Sequence, residues 1–577
     1  MKKTFLLSCL MLAAMPVMAA YTGHVYVDKN KNGVFDQSEK PLAGIKVSDG
    51  LNVVETAADG SFTLPGHERE RFIFITTPSG YKTFNRHYHK IEKKQSGYDF
   101  GLIPYSGRIR KNGSHRYIHI ADTEIFNTEN HADWVNNVRD YARNEQAAFI
   151  IHTGDICYEK GLKAHIKLMN TENMDCPVFY CIGNHDLVKG KYGEELFESI
   201  YGPVYYSFDA GNVHYVVTPM PGGDHAPGYT SDDVCRWLKN DLAHIRPGTP
   251  VVVFNHDLLT YEDTFIFKSK NAGSINLNEY NLKAWVYGHW HINYMKKQGD
   301  VYSVCTSSLD KGGIDHSTTA FRVMHVDSKG DFTSELRYTY LDKNICIASP
   351  AGVMASGVLP VAVNVYSSVS PVREVLYTCL ADGKPVLKNK RLLQSTDWSW
   401  NGELPLSHKY VGKELTLRVT ARFNNGEIAE AESNFICRTE KAVPLFSADW
   451  DNLSGNAKHS APVSAPLNLP LQLAWTNNVG ANLYMTSPLI HKGKVIVASV
   501  DEDLKGVGHV YALNGKDGTI LWSCPVRNSI KNSIAVDSDI VFAQDAQGFL
   551  YAIDTETGKL CWEKQLPVNG LPALIDG

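Results

Sequence analysis

Five apolar segments in the middle of the chain end in residues that bind metal ions well. They read "RYIHIAD", "AAFIIHTGD", "CPVFYCIGNHD", "PVVVFNHD" and "AWVYGHWH". Their ends, with the residues just beyond, supply the candidate ligands Asp122, Glu124, Asp155, Asn184, His256, His289 and His291. Oxygen and imidazole ligands without thiolates are typical of zinc, manganese or iron at a hydrolytic site. The pattern therefore predicts a catalytic metal centre.

The segments between these ends predict the elements that position the ligands. Helical spacing in "HADWVNNVRDYARNEQ", "YGEELFESIYG" and "TSDDVCRWLKNDLAHI" alternates with the apolar strands, and Thr230 or Ser231 is the expected N-cap of the last helix. Alternating strands and helices form α/β sheets, which bind ligands beyond the carboxyl ends of their strands. The five polar ends are therefore expected in one crevice.

The motifs "GDICY", "GNHD", "NHD" and "GHWH" resemble those of the calcineurin-like metallophosphoesterases. The resemblance covers residues 108–343 and implies a four-layer α/β/β/α core that holds two divalent metal ions, Mn, Fe or Zn. It implies that Asp155 bridges both metals and that Asp122 and His291 bind the first. The second would be held by Asn184, His256 and His289.

The same resemblance assigns the catalytic residues. It implies that His185 protonates the leaving group or contacts the phosphate, and that Asp186 orients His185. A hydroxide bridging the two metals would attack a phosphomonoester or phosphodiester in line with the leaving group. The substrate would be a small-molecule or surface-borne phosphate ester. The alternative is a secreted binding or scaffold protein with a degenerate phosphoesterase domain.

The first motif departs from the family, which has Asp-x-His where this chain has Asp122-Thr123-Glu124. Glu124 either replaces the imidazole as a ligand, contacts the metal through water, or does not contact it. As a ligand it would favour Mn or Fe over Zn because a carboxylate is a harder donor. His131 is a weaker candidate to supply the missing imidazole.

Two strand-rich regions flank the phosphoesterase-like segment. Residues 21–107 and 344–440 contain short alternating strands separated by turn residues, which predicts one β-sandwich on each side. They resemble the accessory domains of some exported bacterial members of the family. The predicted fold is thus a multidomain chain with a four-layer core between two β-sandwiches.

The stretch "DKNKNGVFDQSE" has the spacing of a calcium-binding loop. A strand precedes it, so it is not an EF-hand pair, and a plain Asn-Gly turn is the alternative. Its candidate ligands are Asp28, Asn30, Asn32, Val34 through its carbonyl, Asp36 and Glu39.

Residues 441–577 contain a repeat. "GHVYALNGKDGTILW" recurs as "GFLYAIDTETGKLCW", and an insertion around "DEDLKG" lengthens the first unit. The period of about 40 residues is that of a β-propeller blade, and the pattern resembles quinoprotein-type repeats. We expect an incomplete propeller that serves as a platform for a protein or glycan partner.

Residues 1–20 have two lysines, an apolar run and small residues near Ala20, which predicts a signal peptide and an exported protein, periplasmic or extracellular. The remaining chain has no apolar stretch long enough for a transmembrane segment. The net charge of -5 gives no global basic field, so nucleic acid is not an implied partner.

Overall fold

The computed structural model describes residues 20–566 except residues 68, 94, 96, 440–448, 461–472 and 485. The expected signal peptide, apart from Ala20, and the final segment "LPALIDG" lie outside the described residues. Within the described residues, no helix is both long and apolar enough to cross a membrane.

Nine strands of the N-terminal region form two sheets that share one hydrophobic cluster, which includes Val25, Val47, Ile73 and Leu102. The strands are β1 (Tyr21–Val27), β2 (Lys40–Pro41), β3 (Lys46–Ser48), β4 (Val53–Glu55), β5 (Ser61–Leu64), β6 (Phe72–Ile75), β7 (Tyr81–Thr83), β8 (Tyr88–Lys90) and β9 (Phe100–Pro104). One sheet has the order β2-β1-β9-β7 with β5 on β1, and the other the order β4-β3-β6-β8.

The central region alternates strands and helices. Its elements are β10 (His115–Ile120), α1 (Ala132–Asn144), β11 (Phe149–His152), α2 (Tyr158–Leu168), β12 (Val178–Tyr180), α3 (Glu195–Tyr201), β13 (Tyr206–Ala210), β14 (Val213–Val217), α4 (Ser231–Ala243), β15 (Val251–Phe254), β16 (Ile266–Phe267), β17 (Ile275–Asn276), β18 (Leu282–Tyr287), β19 (Tyr294–Gln298), β20 (Val301–Cys305), β21 (Ala320–Val326) and β22 (Phe332–Tyr338). Thr230 caps α4, its hydroxyl accepting the N–H of Asp233 at 3.2 Å, which agrees with one of the two expected N-caps.

Two sheets dominate this region, with the orders β12-β11-β10-β21-β22 and β13-β14-β15-β18-β20-β19. They share a core in which the ring of Phe149 lies 5.0 Å from that of Tyr215, centre to centre. Helix α1 packs Trp134 and Val138 into a separate cluster with Ile118 of β10. Each sheet contains neighbouring parallel strands. In the first sheet β11 pairs with both β10 and β12, and in the second β15 pairs with β18. The four-layer order itself stays a prediction.

A second strand-rich region follows. It contains β23 (Asn344–Ser349), β24 (Gly352–Ala355), β25 (Val358–Tyr366), β26 (Val372–Ala381), β27 (Lys384–Arg391), β28 (Leu393–Gln394), β29 (Ser399–Pro405), β30 (Glu414–Phe423) and β31 (Ile428–Arg438). Two sheets, β23-β25-β29-β28 and β24-β31-β30-β26-β27, contribute Val363 and Leu417 to one core.

The repeat folds into two four-stranded antiparallel sheets. The strands are β32 (Leu489–His491), β33 (Lys494–Ala498), β34 (His509–Asn514), β35 (Ile520–Pro525), β36 (Ala535–Asp537), β37 (Ile540–Gln544), β38 (Phe549–Asp554) and β39 (Leu560–Gln565). Indole N–H groups link the units, because Trp475 donates to the carbonyl of Gly515 at 2.9 Å and Trp522 to that of Thr555 at 3.0 Å. Each tryptophan thus holds the turn of the next unit.

Candidate metal centre

The predicted ligands follow strands whose carboxyl ends point to one edge of the two sheets. Asp122 lies just beyond β10, Asp155 beyond β11, His256 beyond β15, and His289 and His291 beyond β18. Parallel pairing places Asp122 beside Asp155 at the end of one sheet, and His256 beside His289 and His291 at the end of the other.

Asp155 belongs to three groups of potential ligand atoms; one contains Glu124 and Cys157, and the other two contain the predicted histidines. The donor atoms of Asp155, His256 and His289 lie within 4.8 Å of one another, and so do those of Asp122, Asp155 and His291. Asn184 adjoins the first of these groups, its Oδ1 lying 3.1 Å from Nε2 of His256. A carboxylate common to two groups is suited to bridge two cations.

The imidazole of His256 is held in the orientation that a metal ligand needs. Its Nδ1 lies 2.7 Å from the carbonyl oxygen of Thr153, so Nδ1–H donates and Nε2 faces the carboxylates. Nε2 is 3.2 Å from Oδ2 of Asp155. Burial alone would lower the pKa of His256, but the Asp155 carboxylate raises it to about 9.

The buried carboxylates fit a cation electrostatically. Asp122 and Asp155 are almost fully buried. Burial raises the pKa of Asp122 well above its usual range, and the negative charge of Asp155 adds to this effect. A divalent cation between them would remove the repulsion and favour the ionised forms, as bound metals do. The donor set therefore fits divalent metal ions.

Several candidate ligands have a strained backbone conformation. Five candidate ligands adopt left-handed backbone angles, with φ values of 51° at Asp122, 45° at Glu124, 55° at Asp155, 65° at His289 and 51° at His291. Such conformations cost about 1–3 kcal/mol each in non-glycine residues and cluster at functional sites. The surrounding structure must hold these residues in place.

Two glycines make the close packing possible. A Cβ on Gly183 would lie 2.2 Å from Oδ1 of Asp155, and one on Gly288 would lie 2.6 Å from Oδ2 of Asp122. Any side chain at either position would displace a candidate ligand.

Glu124 lies at the edge of the Asp122 group. Its Oε1 is 3.4 Å from Nε2 of His291, and its Oε2 is 2.8 Å from Nζ of Lys311. The carboxylate therefore faces both the candidate metal position and a lysine. His131 instead accepts a hydrogen bond from the indole of Trp134 at 3.1 Å, at the start of α1.

His185 and Asp186 have separate roles in the structure. Nδ1 of His185 is 2.8 Å from Oδ2 of Asp224. Asp224 therefore makes the contact to the His185 ring that was predicted for Asp186. Burial alone would lower the pKa of His185, but this hydrogen bond raises it. Asp186 is buried and accepts the backbone N–H groups of Gly183 and Cys157, both at 2.9 Å. The Asp186 carboxylate therefore links the turn that carries Asn184 to the turn that carries Asp155.

Three residues near the candidate ligands were not predicted from the sequence to have a role at the site. Asp224 lies in the loop "PGGDHAPGY", whose sequence has no metal-ligand spacing. The sequence around Lys311 contains no motif that indicates a residue of the site. Tyr158 ends the motif "GDICY", is 44% exposed, and lies 5.4 Å from the ring of His185, centre to centre. Only Tyr158 stood inside a recognised motif.

The candidate calcium loop is closed by its own side chains. Asp28 accepts the N–H groups of Asn32 and Gly33, and Glu39 accepts that of Lys29 at 2.8 Å. Asp36 accepts from the side-chain amides of Asn30 and Asn32. Val34 is exposed and donates its N–H to Asn32. Calcium binding stays a prediction.

Comparisons with known proteins define the class of the central region. Residues 115–293 match the family "Calcineurin-like phosphoesterase", residues 29–104 match "N terminal of Calcineurin-like phosphoesterase", and residues 472–573 match "Outer membrane protein assembly factor BamB". The chain therefore contains a calcineurin-like phosphoesterase domain followed by BamB-like repeats. These matches confirm the resemblances inferred from the sequence motifs.

A curated relative is purple acid phosphatase 13 of Arabidopsis thaliana, 26% identical over 215 residues. The match covers 35% of this chain and 36% of that protein, so the chain spans about a third of the relative's length.

Two solved structures are also similar over part of their length. A conserved uncharacterised protein of Streptococcus pneumoniae is 13% identical, with 39% of this chain and 98% of that chain covered and a TM-score of 0.20. BamB of Moraxella catarrhalis is 13% identical, with 39% and 51% covered and a TM-score of 0.12. Scores this low support no conclusion about function.

Proposed function

We propose that this chain hydrolyses a phosphomonoester or phosphodiester at a dinuclear metal centre. The observation that carries the proposal is the pair of ligand groups sharing Asp155, with His185 beside them. The calcineurin-like phosphoesterase domain and the purple acid phosphatase relative support metal-dependent phosphoester hydrolysis.

The residues present divide into two ligand sets. Asp122, Asp155 and His291, with Glu124, would hold one ion, and Asp155, Asn184, His256 and His289 the other. When bound, the ions would lower the pKa of a water nucleophile and neutralise the phosphoryl oxygens. Glu124 in place of an imidazole favours Mn or Fe at the first position.

His185 is the proposed general acid. Asp224 holds Nδ1, so Nε2 is left to face a leaving-group oxygen. Burial alone would lower the pKa of His185, but the hydrogen bond to Asp224 raises it and so favours the protonated ring. The backbone N–H of His185 donates to Oδ1 of Asp155 at 3.0 Å, which fixes the turn against the metal ligands. Protonation at Nε2 would assist esters with poor leaving groups.

A cavity of about 640 Å³, lined by the residues on either side of His256 and by none of the candidate ligands, is proposed to receive the alcohol portion of the ester. Asn255 and Asp257, which flank His256, line it, together with the apolar side chains of Met220, Leu258, Leu259, Ile266 and Phe267. Its volume is within the usual range for small-molecule sites. The cavity favours a small-molecule ester with an apolar group.

Export to the periplasm or cell exterior is part of the proposal. It is supported by the N-terminal sequence pattern and by the similarity of residues 472–573 to an outer membrane protein assembly factor. The flanking pairs of sheets are proposed to be β-sandwiches, and the Asp28–Glu39 loop to bind calcium.

The experiment combines metal analysis with an assay. Purified protein is analysed for bound metal and assayed on aryl phosphate mono- and diesters with Mn²⁺, Zn²⁺ or Fe, beside the variants Asn184→Ala and His185→Ala. Metal-dependent turnover that falls in both variants is expected. Absence of turnover with every metal, or turnover unchanged in both variants, would favour the scaffold alternative.

A further inference from the structure

A buried group of charges joins the BamB-like repeats to the phosphoesterase domain. Nζ of Lys531, whose side chain is 3% exposed, lies 2.5 Å from Oε1 of Glu502 and 2.7 Å from Oδ2 of Asp315. It also donates to the carbonyl oxygen of Asn293 at 2.5 Å. Lys531 and Glu502 belong to the repeats, whereas Asp315 and Asn293 belong to the phosphoesterase domain. Buried charges must be well partnered to persist, so this contact fixes the relative position of the two parts.

Lys531 reaches the metal centre through the loop formed by residues 309–317. Asp315 lies in this loop, and the N–H of Ile314 donates to the carbonyl oxygen of His291 at 2.9 Å. In the same loop, Nζ of Lys311 donates to Oε2 of Glu124 at 2.8 Å. The loop therefore contacts His291 and Glu124, two of the residues proposed for the first metal position.

Gly313 packs closely between Asp315 and the backbone of His291. A Cβ on Gly313 would lie 2.1 Å from Oδ1 of Asp315 and 2.9 Å from the carbonyl oxygen of His291. A displacement of Asp315 is thus transmitted to the backbone of a candidate ligand.

A second buried path starts from the neighbouring residue of the repeats. Asp503 lies 2.6 Å from Nη1 of the fully buried Arg322. From there hydrogen bonds of 3.1, 2.8 and 2.8 Å run in order through Thr306, His119 and Thr153. The carbonyl oxygen of Thr153 is the acceptor for His256. The repeats are therefore connected to both ligand sets.

The contact residues lie where the first repeat unit departs from the second. Glu502 and Asp503 belong to the insertion "DEDLKG", whereas the second unit passes through the shorter stretch "DAQG". Tyr484 donates to Oε2 of Glu502 at 2.8 Å, so the insertion is held from the side of the repeats as well. The insertion therefore packs against the phosphoesterase domain.

We propose that Lys531 and Glu502 are positioning residues of the metal centre and that the BamB-like repeats set the affinity of the first metal position. The inference rests on the proposed function, because it assumes that the two ligand sets bind metal. It gives the repeats a structural role at the site itself, beyond a platform for an external partner.

The test is metal binding by the full chain and its Lys531→Met variant. Both are stripped with a chelator and titrated with Mn²⁺, and the two dissociation constants are measured by calorimetry. The constant of one ion is expected to rise about 10–100-fold in the variant, as for other residues that orient metal ligands. The constant of the other ion should stay within about twofold, because none of Asn184, His256 and His289, which belong to that set alone, is hydrogen-bonded to the loop in the described structure.

Lys494→Met is the matched control. Lys494 also lies in the repeats, is mostly buried, and pairs with Glu556 at 2.5 Å, but this pair joins the two repeat units to each other. Both constants should be unchanged in this variant. Equal constants in Lys531→Met and the unaltered chain would overturn the inference while leaving the proposed function intact. A chain that binds no Mn²⁺ would overturn the proposed function as well.

A measurement on the unaltered chain covers the case in which Lys531→Met does not fold. Coupling between two sites is reciprocal, so Mn²⁺ should slow amide hydrogen exchange in residues 500–506 and 528–534. Strand β39 lies outside this contact and serves as the internal reference. Unchanged exchange in both segments on saturation with Mn²⁺ would refute the inference.

Discussion

The contact between Asp224 and His185 makes a specific prediction about leaving groups. Asp224→Asn removes the charge 2.8 Å from Nδ1, and with it the interaction that raises the pKa of His185. Fewer rings then carry the proton. General acid catalysis typically contributes about 10²–10⁴-fold. Because the asparagine can still accept a hydrogen bond, we expect about a 10–100-fold loss of kcat for alkyl phosphates.

The assay compares two leaving groups in saturating Mn²⁺. Nitrophenolate needs no proton to depart, so kcat for p-nitrophenyl phosphate should change less than about threefold. Both side chains are about one-third exposed, so the pair should add no more than about 1 kcal/mol to stability and Tm should hardly move. An equal loss for both substrates would refute the general-acid argument and indicate an effect on metal binding.

Four further predictions concern single sites. Glu124→His should shift selectivity toward Zn²⁺ by about tenfold in competitive metal titration, and an unchanged selectivity would show that Glu124 is not a ligand. Asp186→Ala leaves the N–H groups of two turns unpaired and should lower the free energy of unfolding by about 1–3 kcal/mol for each, as denaturant titration would reveal. Leu258→Asp should raise KM for esters with a large apolar alcohol and leave that for methyl phosphate unchanged. Calcium should raise Tm of the unaltered chain but not of Asp28→Ala, and an equal shift in both would exclude the loop.

The grouping of the candidate ligands could be predicted from the sequence because it depends on local pattern. An apolar run followed by Asp or His marks the end of a buried strand, and parallel strands bring such ends to one edge whatever the connecting loops do. Asp122 and Asp155 are brought together for this reason, and so are His256 and His289. Helix α2 was not predicted, although it starts directly after the "GDIC" turn.

Contacts made by loops could not be predicted in this way. Asp224 replaces Asp186 beside His185 because the loop after β14 returns across the "GNHD" turn, and no spacing in the sequence encodes that path. The same is true of Lys311 at Glu124. Lys531 is more distant still, since its partners depend on how two separately folded regions pack. Sequence patterns thus indicate which residues share a sheet edge, but loop closure and domain packing select their partners.

The left-handed backbone at five candidate ligands narrows the substitutions through which this centre can change during evolution. Aspartate, asparagine and histidine tolerate that conformation better than most residues, whereas β-branched residues are strongly disfavoured. A replacement at Asp122 or His291 must therefore satisfy the backbone before its chemistry can be selected. Substitutions among Asp, Asn and His are compatible with the backbone at these positions. Substitutions to Val, Ile or Thr are not, even where a neighbouring residue could supply the lost ligand. The range of metals that descendants of this chain can adopt is thus limited by φ angles as well as by donor atoms.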